Sequence, residues 1–189
     1  MADTVKKTTG KATIDAAMIV IKTKEATPKV YGFTSGQKVG VSANIETSDA
    51  IKLMIKGTLK AQKPEKKTMT GNTITITDLV TIYEMLPLLN GGELVMGEDG
   101  EVTGYRPPIV GEEVTLTKFD TSIYTAIMDG STITGYECVT YPSCTGSPIG
   151  LGSEDDVFRT NEYEIISAPG QGERAYTLDV VDALPVITE

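Results

Sequence analysis

The clearest alternation of apolar and polar positions lies in residues 51–60. Ile51, Leu53, Ile55, Gly57 and Leu59 share one face at a period of two, and Lys52, Met54, Lys56, Thr58 and Lys60 share the other. Ile51, Met54, Ile55 and Leu59 also fall at helical spacing behind Ser48 and Asp49 as caps, but Gly57 and Thr58 in the interior oppose a helix, so the pattern predicts a strand. Shorter β-branched and aromatic runs at 29–33 and 38–45, bounded by Gly32, Ser35, Gly36 and Gly40, predict two more. Ile74 and Ile76 alternate with threonines at 73–77, which predicts the return strand of a hairpin. Its long tip is the lysine-rich connection 60–72, interrupted by Pro64. Half of that segment reaches roughly 20 Å when extended, and loops of this length are uncommon unless they bind something or are disordered.

One helix is expected at 78–89. Thr77 or Asp78 can cap it, Leu79, Ile82, Tyr83, Leu86 and Leu89 form its apolar stripe, and Asn90, Gly91 and Gly92 end it. Pro87 cannot donate to the carbonyl of Tyr83 and crowds it, so a kink or split is expected there. Beyond the helix, Asp99-Gly100 and Asp129-Gly130 mark tight turns between strands at 93–96 and 101–105 and at 122–128 and 132–138. Segments 113–119, 157–167 and 174–181 complete a set of about ten strands. A Gly/Ser/Pro-rich loop is expected at 141–156 and a short tail at 184–189. Residues 1–27 read as an N-terminal arm holding one strand over the apolar run 16–21, followed by a single β domain over 28–189. The fold class is mainly β: a β-sandwich or barrel with one flanking α-helix, a long hairpin loop and terminal arms.

Composition narrows the chemistry. The 189 residues include no histidine, which removes Ser-His-Asp and Cys-His mechanisms, histidine zinc sites and an imidazole acid or base. Cys138 and Cys144 are too few for a four-cysteine metal site. They can bridge only if the chain doubles back, and two idle thiols are the default in a reducing compartment. The interrupted apolar run near the N-terminus is neither a signal peptide nor a spanning helix. Glu154, Asp155 and Asp156 lack the ligand spacing of a calcium loop. Gly170-Gln171-Gly172 lies between strands with no helix to face a phosphate. The lysines of 60–72 raise nucleic-acid binding, but residues 52–82 contain no aromatic to stack a base. No catalytic constellation, cofactor site or metal site is expected.

Charge is segregated along the chain. Residues 1–72 hold 13 lysines against 6 acids and residues 73–189 hold 4 basic residues against 20 acids, segments of net +7 and −16 within a total of −9. One reading is an ordinary solvated surface. The other is self-association of a basic face on one copy with an acidic face on the next.

The run IKLMIKGTLKAQKPEKKTMTGNTITITDLVTIYEMLPLLNGGEL over 51–94 resembles the tail tube (major tail) proteins of long-tailed bacteriophages and of phage-tail-like particles, in its strand, basic hairpin loop, Thr/Ile strand and short helix closed by Gly-Gly. NEYEIISAPGQGERAYTLDVVDALP over 161–185 is similar to the two closing strands of such subunits. Together these cover about a third of the chain.

The resemblance implies a homohexameric ring stacking into a hollow tube through which DNA passes without specific binding, in a virion tail assembled in the host cytoplasm. Partners would be the protein itself and other tail proteins such as sheath, tape measure, terminator or baseplate components, with no membrane and no cofactor. The inter-ring loop would carry Lys60, Lys63, Lys66 and Lys67 as basic contacts, and the helix would pack outside its own barrel. An acidic chain suits a conduit for DNA, because a lysine-lined lumen would hold phosphates. Ring closure would also pair open sheet edges. The alternatives are a capsid decoration or cement protein and a β-sandwich binding or adhesion module.

Overall fold

The computed structural model describes residues 10–187. Its elements are β1 (Ala12–Thr23), β2 (Val30–Phe33), β3 (Gly36–Ser48), β4 (Ile51–Ile55), β5 (Thr58–Lys63), β6 (Lys66–Asp78), α1 (Met85–Asn90), β7 (Glu93–Met96), β8 (Val102–Arg106), β9 (Phe119–Asp129), β10 (Thr132–Gly146), β11 (Asn161–Ser167) and β12 (Thr177–Val181). Among the described residues the protein is therefore mainly β with one short helix. Strict alternation builds β11, where Asn161, Tyr163, Ile165 and Ser167 are buried and the residues between them are exposed.

The main sheet is antiparallel in the order β2-β1-β9-β10-β11-β6-β3, with β12 also paired to β10, while β4–β5 and β7–β8 are separate hairpins. β10 carries two partners on one edge: β12 along Tyr136–Thr140 and β11 along Cys144–Gly146.

In a flat sheet β1 and β3 would stand roughly 24 Å apart. Instead, a Cβ on Gly36 of β3 would lie 3.2 Å from Cδ1 of Ile19 on β1. The sheet therefore curls around its core without closing, since β2 and β3 share no ladder. Ladder irregularities beside Asp15 (φ 54) and Ser143 (φ 53) bend the strands. Inside lie Ile19, Ile21, Ile74, Ile76, Phe119, Tyr163 and Ile165, each fully buried side chain contributing about 1.5–3 kcal/mol.

Register defines two ends of the curled sheet. Thr23 pairs with Phe119, Phe119 with Cys144, Asn161 with Asp78 and Asp78 with Gly36, so these residues share one end. α1 plugs that end, with Met85, Leu86, Leu88 and Leu89 buried. The last β3–β6 pair, Ser48 with Lys66, lies at the other end.

Several expectations need correction. The strand expected in an N-terminal arm is interior, between β2 and β9, because Met18, Ile19 and Ile21 belong to the core; residues 1–9 of that arm lie outside the described residues. The 60–72 loop is almost wholly strand, with only Pro64 and Glu65 between β5 and β6, because β3 and β4 supply ladder partners for its backbone. The strand expected at 51–60 is two strands, turned at Lys56 (φ 49) and Gly57 (φ 77).

The helix expected at 78–89 has six residues and starts at Met85, which places Pro87 in the first turn, where a missing N–H leaves no bond unmade. Residues ahead of it are held otherwise: Asp78 takes the Ser35 hydroxyl at 2.7 Å and the Val80 amide at 2.9 Å. Tyr163 Oη accepts the Ile82 amide at 3.2 Å and donates to the Val80 carbonyl at 3.3 Å. The 141–156 loop begins only after Gly146, because β10 runs through Pro142 and Ser143 as a bulge whose Ser143 amide donates to Asp120 at 2.9 Å. Of the strand expected at 113–119, only Phe119 is in one. The sheet is open rather than a barrel.

Candidate assembly surface

Past the main sheet, β3 and β6 continue as a two-stranded arm that β4 and β5 extend. β6 pairs with β11 only as far as Asn72, whereas its pairing with β3 runs on to Lys66. Ser48 faces Lys66 before Pro64 interrupts the ladder, and Ile51 faces Lys63 after it. Two residues are passed on each strand, so the register is preserved and both segments form one kinked hairpin over residues 44–71. At about 3.3 Å per residue its strands reach roughly 35 Å, well beyond the 20 Å expected for a loop.

Directly paired residues share a face, and this makes the first segment of the arm amphipathic, while beyond the kink the exposed pair Met54 and Leu59 adds apolar surface on the face opposite Ile51 and Leu53. Val39 and Val41 face Ile76 and Ile74 on the interior side; Ile45 faces Met69 farther out, and Ile51 and Leu53 continue the same alternation beyond the kink. Ile74 is fully buried, whereas Val41 opposite it is 45% exposed and the residues farther out, Met69, Ile45, Leu53 and Ile51, are between 41% and 64% exposed. The core-facing row of the sheet thus runs out into solvent. Glu46, Ser48, Lys66 and Thr68 occupy the opposite, polar face of the first segment.

All four lysines expected as contacts lie on the arm, but they do not form one patch. Lys63 and Lys67 stand on the apolar face opposite Ile51 and Thr47, Lys66 stands on the polar face, and Lys60 is the extra residue of a bulge between Leu53 and Met54. Lys67 meets Glu65 at 3.8 Å with both side chains largely exposed, a pairing of little energetic weight.

At the helix end of the sheet lies a groove of about 1000 Å³ between the β1–β2 connection, α1 and the β7–β8 hairpin. The hairpin is fastened there by Tyr105, whose Oη donates to the Gly91 carbonyl at 2.6 Å and whose pKa is raised by burial. Gly91 has φ 74, and a Cβ there would come within 2.3 Å of Val114, so the crossing segment needs glycine. Glu25, Glu84, Glu93 and Glu101 line the groove with Lys29 as the one cation among the lining residues, and Pro87, Leu88, Leu94 and Val114 give it an apolar floor. Sequence reasoning missed this groove because its walls come from distant segments.

Cys138 and Cys144 are free and buried, and burial raises the Cys144 pKa. Among the described residues no cluster of Cys, Asp and Glu is arranged to hold a metal, and no helix is long and apolar enough to cross a membrane. The chain matches no protein-family model and no curated protein.

Proposed function

We propose that this protein is a structural subunit of a tube of the phage-tail type, in which homohexameric rings stack into a conduit for DNA. The observation that carries the reading is the apolar stripe that leaves the core and continues onto the exposed arm, a surface whose burial requires another molecule. Two further features support it. Among the described residues β2 and β3 end the sheet unpaired, so a ring that adds one copy's edge to the next would satisfy both. The acidic excess beyond residue 72 suits a passage that must not retain phosphates. In the virion the partners would be further copies and the adjoining tail proteins.

Negative-stain microscopy and sedimentation of the concentrated full-length protein test this. Hollow rods or six-fold rings are the expected result. A monomer persisting at high concentration overturns self-assembly, and discrete trimers favour a capsid-decorating role instead.

A further inference from the structure

We infer that the two-stranded arm of one copy docks into the acidic groove at the helix end of another copy; this rests on the self-assembly reading and names the acceptor that it leaves open. Three observations converge on it.

The first is position. β6 begins at Lys66, within the arm next to its β4–β5 segment, and ends at Asp78 toward α1, so roughly 40 Å of strand separates that segment from the groove end. The arm projects away from the groove, and its own chain cannot fill it. A donor at one end and an acceptor at the other make the contact heterologous, the arrangement that continues from copy to copy without closing.

The second is chemistry. The arm offers Ile51, Leu53 and Ile55 flanked by Lys60 and Lys63. The groove offers Pro87, Leu88 and Leu94 ringed by glutamates. Apolar matter meets apolar matter at the centre and opposite charges meet at the rim, which is the layout of a specific interface.

The third is accommodation. At about 1000 Å³ the groove is at the upper end of small-ligand cleft sizes, room for several side chains rather than for a whole hairpin, and the turn at Lys56-Gly57 makes the arm end in a narrow two-stranded tip whose side chains can enter it.

The test uses two full-length variants with exposed substitutions: K60E/K63E on the arm and E25K/E101K on opposite walls of the groove. Each is checked for an unchanged thermal transition. Sedimentation and microscopy should show each variant alone needing a concentration about tenfold higher, or more, to form particles. An equimolar mixture should recover assembly, because an acidic arm then meets a basic groove and a basic arm an acidic one. If the wild type assembles and E25K/E101K assembles equally well, or if the mixture recovers nothing, the groove is not the acceptor while self-assembly stands. If the wild type never assembles, both proposals fall together.

Discussion

Leu89 of α1 lies directly on Gly146 at the end of β10: a Cβ at 146 would sit 2.4 Å from the Leu89 Cα and 3.0 Å from the Leu88 carbonyl oxygen. The helix can plug the curled sheet only because that position has no side chain. Gly146→Ala forces backbone apart in a filled core and should destabilise the monomer by about 1–3 kcal/mol, read as a lower denaturant midpoint with an unchanged slope. An unaltered midpoint would show that α1 is not seated there.

Tyr163 holds the segment ahead of α1 through both functions of its hydroxyl. Tyr163→Phe keeps the ring in the core and leaves the Ile82 amide and Val80 carbonyl without that partner, at a cost of about 1–2 kcal/mol. Hydrogen exchange at Ile82 should quicken, whereas the amides of β9 should keep their protection until global unfolding.

On the arm, replacing Ile51, Leu53 and Ile55 together by threonine retains β propensity and removes the apolar stripe. These side chains are half or more exposed or nearly so in the monomer, so its thermal transition should move little, by about 0.5 kcal/mol or less, while particle formation should be lost. Lys66→Gln, on the polar face, should leave assembly closest to wild type. Light scattering against concentration separates the two.

Alkaline pH should weaken the fold. Burial raises the pKa values of Tyr105, Tyr141, Tyr163 and Cys144, and burial together with Cys138 pushes Tyr124 from 10.0 up to about 12. Below the ordinary phenol value both folded and unfolded chains keep these phenolic protons. Above it the unfolded chain releases protons that the folded chain retains, so stability falls as pH rises, until Tyr124 also ionises near pH 12. Thermal midpoints should therefore begin to drop from about pH 9, where the Cys144 thiol of the unfolded chain ionises, and drop more steeply from about pH 10 upward, and Tyr124→Phe should lessen the drop.

Turn chemistry was the most legible part of the sequence. Asp99-Gly100 and Asp129-Gly130 lie at the β7–β8 and β9–β10 turns, because short-range φ requirements decide such sites. Pro87 breaks nothing, because α1 begins at Met85 and takes it into its first turn, and the helix lost its expected first half to two tertiary contacts, Asp78 with Ser35 and Tyr163 with Ile82. Neither partner is near in sequence. The lysines of 60–72 read as a loop by composition, yet ladder pairing with β3 and β4, broken only by bulges and the Pro64–Glu65 kink, turned them into strand. On the candidate surface, the period-two apolar positions from Ile51 were visible from the start. Their continuity with buried Ile74 was not, since it depends on which residues face each other across the β3–β6 ladder.

The single edge that β10 divides between β12 and β11 makes the main sheet a fork rather than a ribbon. β12 is fastened only along five residues of β10, while the β11-β6-β3 branch carries the projecting hairpin. The Asn72 side-chain amide on that branch donates to the Ala175 carbonyl just ahead of β12 at 3.0 Å, so a pull on the projecting hairpin is shared between both prongs where they leave the handle of the fork.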